Sequence, residues 1–149
     1  MTDLSHAEAL KPRRIDVGDF VYCRSQYHRN QLDIPAEAGL VMEIKRNNYR
    51  IFFENKKFCW LPRETIIFVD GKINLETIAG RLHHLMQALN PLDCELISEG
   101  NIHRATFRID HINNQLVDEL KDFLGSDFVS MSVVPEGMAF MLADIKFKD

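Results

Sequence analysis

The side chains from which a metal site or a nucleophile would be built are six histidines and three cysteines, and their spacing favours neither. His83 and His84 are consecutive in a stretch of helical period, so they point about 100° apart and cannot meet one ion as an i, i+4 pair does. His103, His111 and Cys94 are the residues that could approach them in space. Cys23, Cys59 and Cys94 form no C-x-x-C pair, and two of the three fall in runs of strand character, where cysteine serves as a small buried hydrophobe. No G-x-S-x-G elbow, phosphate-binding glycine loop or H-E-x-x-H motif occurs. The carboxylates of Asp118, Glu119 and Asp122 fall on what reads as a solvated helix face. The expectation is a protein that is not an enzyme, with no catalytic residue, no metal and no cofactor; an enzyme of unrecognised type is the lowest-ranked alternative.

Binding chemistry is better represented. Between Lys45 and Arg63 the basic residues Lys45, Arg46, Arg50, Lys56, Lys57 and Arg63 are opposed only by Glu54. Phe53, Phe58 and Trp60 stand among them, and Tyr27 and Arg29 lie in the loop before. Aromatic and arginine side chains dominate protein interfaces because they combine contact area with directional bonds. Tyr27, Arg29, Arg50, Phe53, Phe58 and Trp60 are therefore the candidate contacts to a protein partner. Lys45, Arg46, Lys56 and Lys57 are the alternative contacts, to the phosphates of a nucleic acid.

These residues must be positioned by short strands. Runs rich in β-branched and aromatic residues cover Asp19 to Arg24, Leu40 to Lys45, Tyr49 to Phe53, Lys57 to Leu61 and Thr65 to Val69. Asn47-Asn48 and Glu54-Asn55-Lys56 supply the turns. Five short strands in roughly fifty-five residues suit a small, strongly bent barrel. The stretch from Ser25 to Ala38 is a long loop for such a barrel and a candidate rim.

Val17-Gly18-Asp19-Phe20-Val21-Tyr22-Cys23, then Gly39-Leu40-Val41 with Ile44, then Tyr49-Arg50-Ile51-Phe52-Phe53-Glu54-Asn55, then Trp60-Leu61-Pro62 with Ile66, together resemble the SH3-like barrel superfamily, Tudor-type members in particular. The resemblance covers about residues 15–70. It implies recognition without catalysis: Tudor-type barrels hold methylated lysine or arginine in an aromatic cage, and related small barrels bind nucleic acid or other proteins. Phe53 and Phe58 flank the turn where two cage aromatics would fall, and Tyr27 lies in the loop that would supply others. Asn55-Lys56-Lys57 departs from the Tudor pattern by placing positive charge where a cationic ligand would approach.

After Asp70-Gly71-Lys72 the hydrophobic period changes from two to about three and a half. Leu75, Ile78, Ala79, Leu82, Leu85, Met86 and Leu89 form the stripe of a helix, with Asn74 as its N-cap and Asn90-Pro91 as its stop. Strands follow over Asp93 to Ser98 and Ile102 to Ile109, a second helix over Ile112 to Leu124, and strands over Phe128 to Val134 and Met138 to Phe147. The fold class is thus α+β: a five-stranded SH3-like, Tudor-like barrel at 15–70, then a two-layer αββαββ sandwich at 71–149, a ferredoxin-like variant with its first strand moved to the end. Thr65 to Val69 can serve either the barrel or that second sheet. In the last strand Met138, Phe140 and Leu142 alternate with Ala139, Met141 and Ala143, so both faces are apolar and need cover, from the barrel or from a second chain in a homodimer.

Charge separates the halves. Residues 15–70 balance eight basic against eight acidic side chains, and 71–149 carry seven against twelve. The whole chain, at net −4, is not a generally basic nucleic-acid binder. Residues 1–14, ending Lys11-Pro12-Arg13-Arg14, read as a flexible lead-in. The absence of a long apolar run and the unpaired cysteine count predict a reduced, cytoplasmic protein that does not engage a membrane.

Overall fold

The computed structural model describes residues 14–35, 37–54, 57–71 and 73–149. Most of the expected basic lead-in and Lys56 lie outside them. Five strands open the chain: β1 (Phe20–Cys23), β2 (Gly39–Lys45), β3 (Asn48–Phe52), β4 (Phe58–Pro62) and β5 (Ile66–Phe68). They form one antiparallel sheet in the order β4-β3-β2-β1-β5. The β2–β3 turn is Arg46-Asn47, with Lys45 opposite Asn48 and Arg46 in the left-handed region at φ 57. It sits one residue earlier than the Asn-Asn step suggested, because pairing Ile44 with Tyr49 fixes the register.

An irregularity between Val41 and Glu43 lets β2 bury residues on both sides. Val41 joins Val21, Ile51, Phe53, Leu61 and Ile66 in an inner core, while Leu40 and Met42 enter a second core. Gly39 is required here: a Cβ would stand 2.4 Å from Ile51 Cγ2 and 2.6 Å from the Phe53 ring. Neither sheet closes into a barrel among the described residues, which corrects the expectation of a closed five-stranded one. The edges are separated by a 3-10 turn, Arg63–Thr65, whose polar groups are met locally. Thr65 Oγ1 donates to the Pro62 carbonyl and the Arg63 N–H to that of Asn47. Three-residue β5 is occupied by β1, with Tyr22 opposite Ile67. Thr65 to Val69 therefore serves the first sheet and not the second.

The expected loop after β1 contains a helix, α1 (Gln26–Leu32), capped by the Ser25 hydroxyl and ended by Asp33 at φ 53. None of its residues is buried, so no apolar stripe marks it in the sequence.

The second part contains α2 (Ile78–Leu89), β6 (Asp93–Glu99), β7 (Ile102–Ile109), α3 (Asn114–Leu124), β8 (Phe128–Glu136) and β9 (Phe140–Lys148). Its antiparallel sheet has the order β6-β7-β9-β8. The cap of α2 is Thr77, whose hydroxyl accepts from Gly80 N, and not Asn74. Asn74 builds the preceding turn, accepting at its carbonyl from Thr77 Oγ1, and Leu75 is left exposed.

Leu82, Leu85, Met86 and Leu89 of α2 pack with Leu120 and Leu124 of α3 on Ala105, Phe107, Ile109, Ala143, Ile145 and Phe147. Leu40, Met42 and Phe52 of the first sheet belong to the same cluster. This continuous core is the seam between the halves. On β9 Met141 and Ala143 face the core while apolar Phe140 and Leu142 face outward, followed there by Asp144 and Lys146; Met138 and Ala139 lie in the turn before the strand. Asp144 pairs with Arg104 across the strands. The first half makes its main contacts with α2 and β6.

Candidate functional site

Strand register decides which of the sequence-selected residues share a surface. On β3 and β4 Arg50 stands opposite Trp60 and Phe52 opposite Phe58, while Lys45 of β2 is opposite Asn48. Lys45, Arg50, Phe58 and Trp60 therefore lie on one face of the first sheet. The Arg50 guanidinium is 4.3 Å from the Phe58 ring centre, and Lys45 Nζ is 5.7 Å from that of Trp60. Trp60 is 43% exposed and Phe58 half-buried against Phe52.

Phe53 is corrected as a partner contact. It is buried at 1% exposure in the inner core over Gly39, because its position past β3 turns it inward. Tyr27 is the most exposed of the chosen aromatics, edge-on to His28 on α1. Arg29 is half-buried on the same helix, its carbonyl accepting from Ile34 N. This helix follows the end of β1 beyond Gly39 and so lies at the opposite end of the sheet from the Lys45 turn. Tyr27 and Arg29 thus do not join Trp60 in one site.

The basic residues are largely engaged. Lys57 Nζ is 2.8 Å from Asp33 Oδ2, and its hydrogen bond and charge hold that carboxyl below the usual range. Lys45 pairs with Glu43, and Arg50 Nη1 bonds Glu95 Oε1 at 2.9 Å. Arg46 is exposed at the turn. Beyond Glu95, Arg108 bridges Asp93 and Glu136. Burial pushes the Asp93 carboxyl up against the pull of Arg108, and the neighbouring Glu43, Glu95 and Glu136 add to the rise. This ion-pair row was invisible in sequence because its members come from five strands.

A cleft of about 410 Å³ opens where the first sheet meets the start of α2. Phe20, Phe68 and Ile73 give it apolar walls, and Asp19, Glu37, Glu54 and Asp70 give it carboxylates. Two bonds across the seam set its shape. Glu54 Oε1 accepts from Ala79 N at 2.6 Å, which supplies an acidic partner to the first turn of α2. His83 Nδ1 lies 2.6 Å from the Gly18 carbonyl and must donate to it, leaving Nε2 as the ring's other polar atom. Carboxylates against aromatic walls suit a ligand with a cationic group and an apolar body. These acids are scattered over fifty residues of sequence, and no local pattern announces them.

Two further histidines and Cys94 have partners or cover within the fold. His84 stacks on Phe123 with ring centres 3.8 Å apart. His103 is wholly buried, within hydrogen-bond reach of Ser98 and Asp149. Cys94 is buried and its thiol is pushed well up by desolvation. All three cysteines are free. Among the described residues no three His, Cys, Asp or Glu side chains converge as metal ligands, and no helix is long and apolar enough to cross a membrane. Comparison with protein families, curated proteins and solved structures finds no match.

Proposed function

We propose that this chain is a binding protein whose first sheet, an opened SH3-like unit, recognises a protein partner through the face carrying Lys45, Arg50, Phe58 and Trp60. A meander whose last strand returns beside its first is the order a small bent barrel needs, and supports that assignment. The order β6-β7-β9-β8 likewise supports a ferredoxin-like second unit with its first strand moved to the end. The observation that carries the functional reading is Trp60, left 43% exposed between a lysine and an arginine-capped phenylalanine. Tryptophan and arginine are the residues whose truncation most often disables an interface.

A methyl-cation cage is disfavoured, since Phe53 is core and Lys45 already stands over Trp60. Nucleic-acid binding is disfavoured by the acidic partners of Lys45, Arg50 and Lys57. Affinity capture from cell extract with the full chain tests the reading. Trp60→Ala should lower the amount of a specific partner at least about tenfold while thermal unfolding is unchanged, and Tyr27→Ala should not. A partner set unaffected by Trp60→Ala would remove it.

The cleft supports a second binding role, for a small molecule joining an ammonium group to an apolar body. Titration of isotope-labelled protein with phenethylamine should shift the amide signals of Phe20, Phe68 and His83, and the double variant Asp19→Asn, Asp70→Asn should weaken the response. Unmoved signals at millimolar amine would discard this role.

A further inference from the structure

We propose that Ser98 is a nucleophile activated by His103 and positioned by Asp149, forming an acyl-transfer site for unhindered carboxylic esters at the open edge of the second sheet. Ser98 of β6 is directly opposite His103 of β7, and His103 opposite Phe147 of β9. Asp149 follows two residues after Phe147, so three strand ends deliver serine, histidine and aspartate in a row. Ser98 Oγ lies 2.7 Å from His103 Nδ1, and Asp149 Oδ1 meets Nε2. The arrangement is anchored from both sides. Asp149 N donates to the Asn101 carbonyl at 2.9 Å, and Arg81 Nη1 donates to that of Lys148 at 2.6 Å.

The proton positions follow from the partners. A carboxylate only accepts, so Nε2 carries the hydrogen of the neutral ring and Nδ1 presents its lone pair to the Ser98 hydroxyl. That is the geometry of a general base on a nucleophile, with the base held by a third group. The imidazole is wholly buried while Ser98 is exposed, so Nδ1 is approached from the Ser98 side, where the leaving alcohol and the attacking water meet it as Oγ carries the acyl group. Ser98 also lies on an edge strand: β6 pairs with β7 alone among the described strands. An edge strand directs alternate backbone N–H groups away from its one partner, and donors of that kind can meet a developing oxyanion. The approach of the first sheet is to the other end of β6, where Arg50 meets Glu95.

In the reaction, Ser98 Oγ adds to the ester carbonyl carbon as its proton passes to Nδ1, and Asp149 stabilises the resulting imidazolium. Collapse breaks the bond to the alkoxide, which leaves with the proton from Nδ1. Water then adds to acyl-Ser98 by the same proton transfers, releasing the carboxylic acid and restoring the hydroxyl. Ser98 and His103 are the catalytic groups and Asp149 is a positioning residue.

The full chain is treated with a fluorophosphonate probe, which phosphonylates activated serines with loss of fluoride, and the modified residues are mapped by mass spectrometry. Ser98 is expected to react at least about a hundredfold faster than exposed Ser130 and Ser132, and Ser98→Ala to lose the fast phase. Replacement of wholly buried His103 disturbs the core, so the second arm uses Asp149, whose side chain is 49% exposed. Asp149→Asn should slow labelling at least about tenfold and remove the downfield imidazole N–H resonance, with Asp149→Glu recovering much of both. Labelling of Ser98 no faster than of the β8 serines, or an unchanged rate in Asp149→Asn, would reduce His103 to a packed histidine met by two neighbours and overturn the proposal.

Discussion

Glu54 shows how much one side chain does across the seam. It leaves the first sheet at the β3–β4 turn and accepts the Ala79 N–H, one of the first-turn donors of α2 that the helix itself cannot meet. Glu54→Ala should therefore cost about 1 kcal/mol in urea unfolding, the scale of a lost helix cap, and Glu54→Gln, which keeps an acceptor, should cost less. Equal stability of Glu54→Ala and the parent chain would show the contact to be dispensable. The sequence marks Glu54 only as the lone acid in a basic run. At the same scale, Phe53 and Trp60 were equally eligible as exposed aromatics. Their different fates depend on the contact of Phe53 with Gly39 and on the pairing of Trp60 with Arg50, which are relations between strands and not properties of either residue.

Elements were legible where their signal is local. The Ile102–Ile109 strand has the expected ends, and its alternation places His103, Ala105, Phe107 and Ile109 inside. Helix α3 stops at Gly125 as the glycine suggested, and the residues that cap and close it are adjacent in sequence. The start of α2 was placed too early because Asn74 and Thr77 are both competent caps. The choice fell to Thr77 once Asn74 had closed the turn with its carbonyl. Helix α1 was missed for the opposite reason: only the Ser25 cap and its polar turns hold it, with no buried face to give a period. The 3-10 turn before β5 was equally unannounced, and it is what separates the two edges of the first sheet.

For the molecule as a whole, the shared core predicts that the halves unfold together. Trp60, the single tryptophan, reports the first sheet, while helical ellipticity comes mainly from α2 and α3, with twelve and eleven residues against seven in α1. Urea transitions followed by tryptophan fluorescence and by far-ultraviolet circular dichroism should coincide. Separate midpoints would mean that Leu40, Met42 and Phe52 do not couple the halves. The sequence by itself determined the α+β class, the change of period at residue 70, most strands and both longer helices, because alternation and caps are written in neighbouring residues. Only the tertiary structure decided that the first sheet stays open, that Leu40, Met42 and Phe52 of its outer side enter the core with α2 while Trp60 stays exposed, and that the acids of the cleft and the Ser98, His103 and Asp149 row come together. Those outcomes depend on contacts between residues far apart in the chain, which no periodicity encodes.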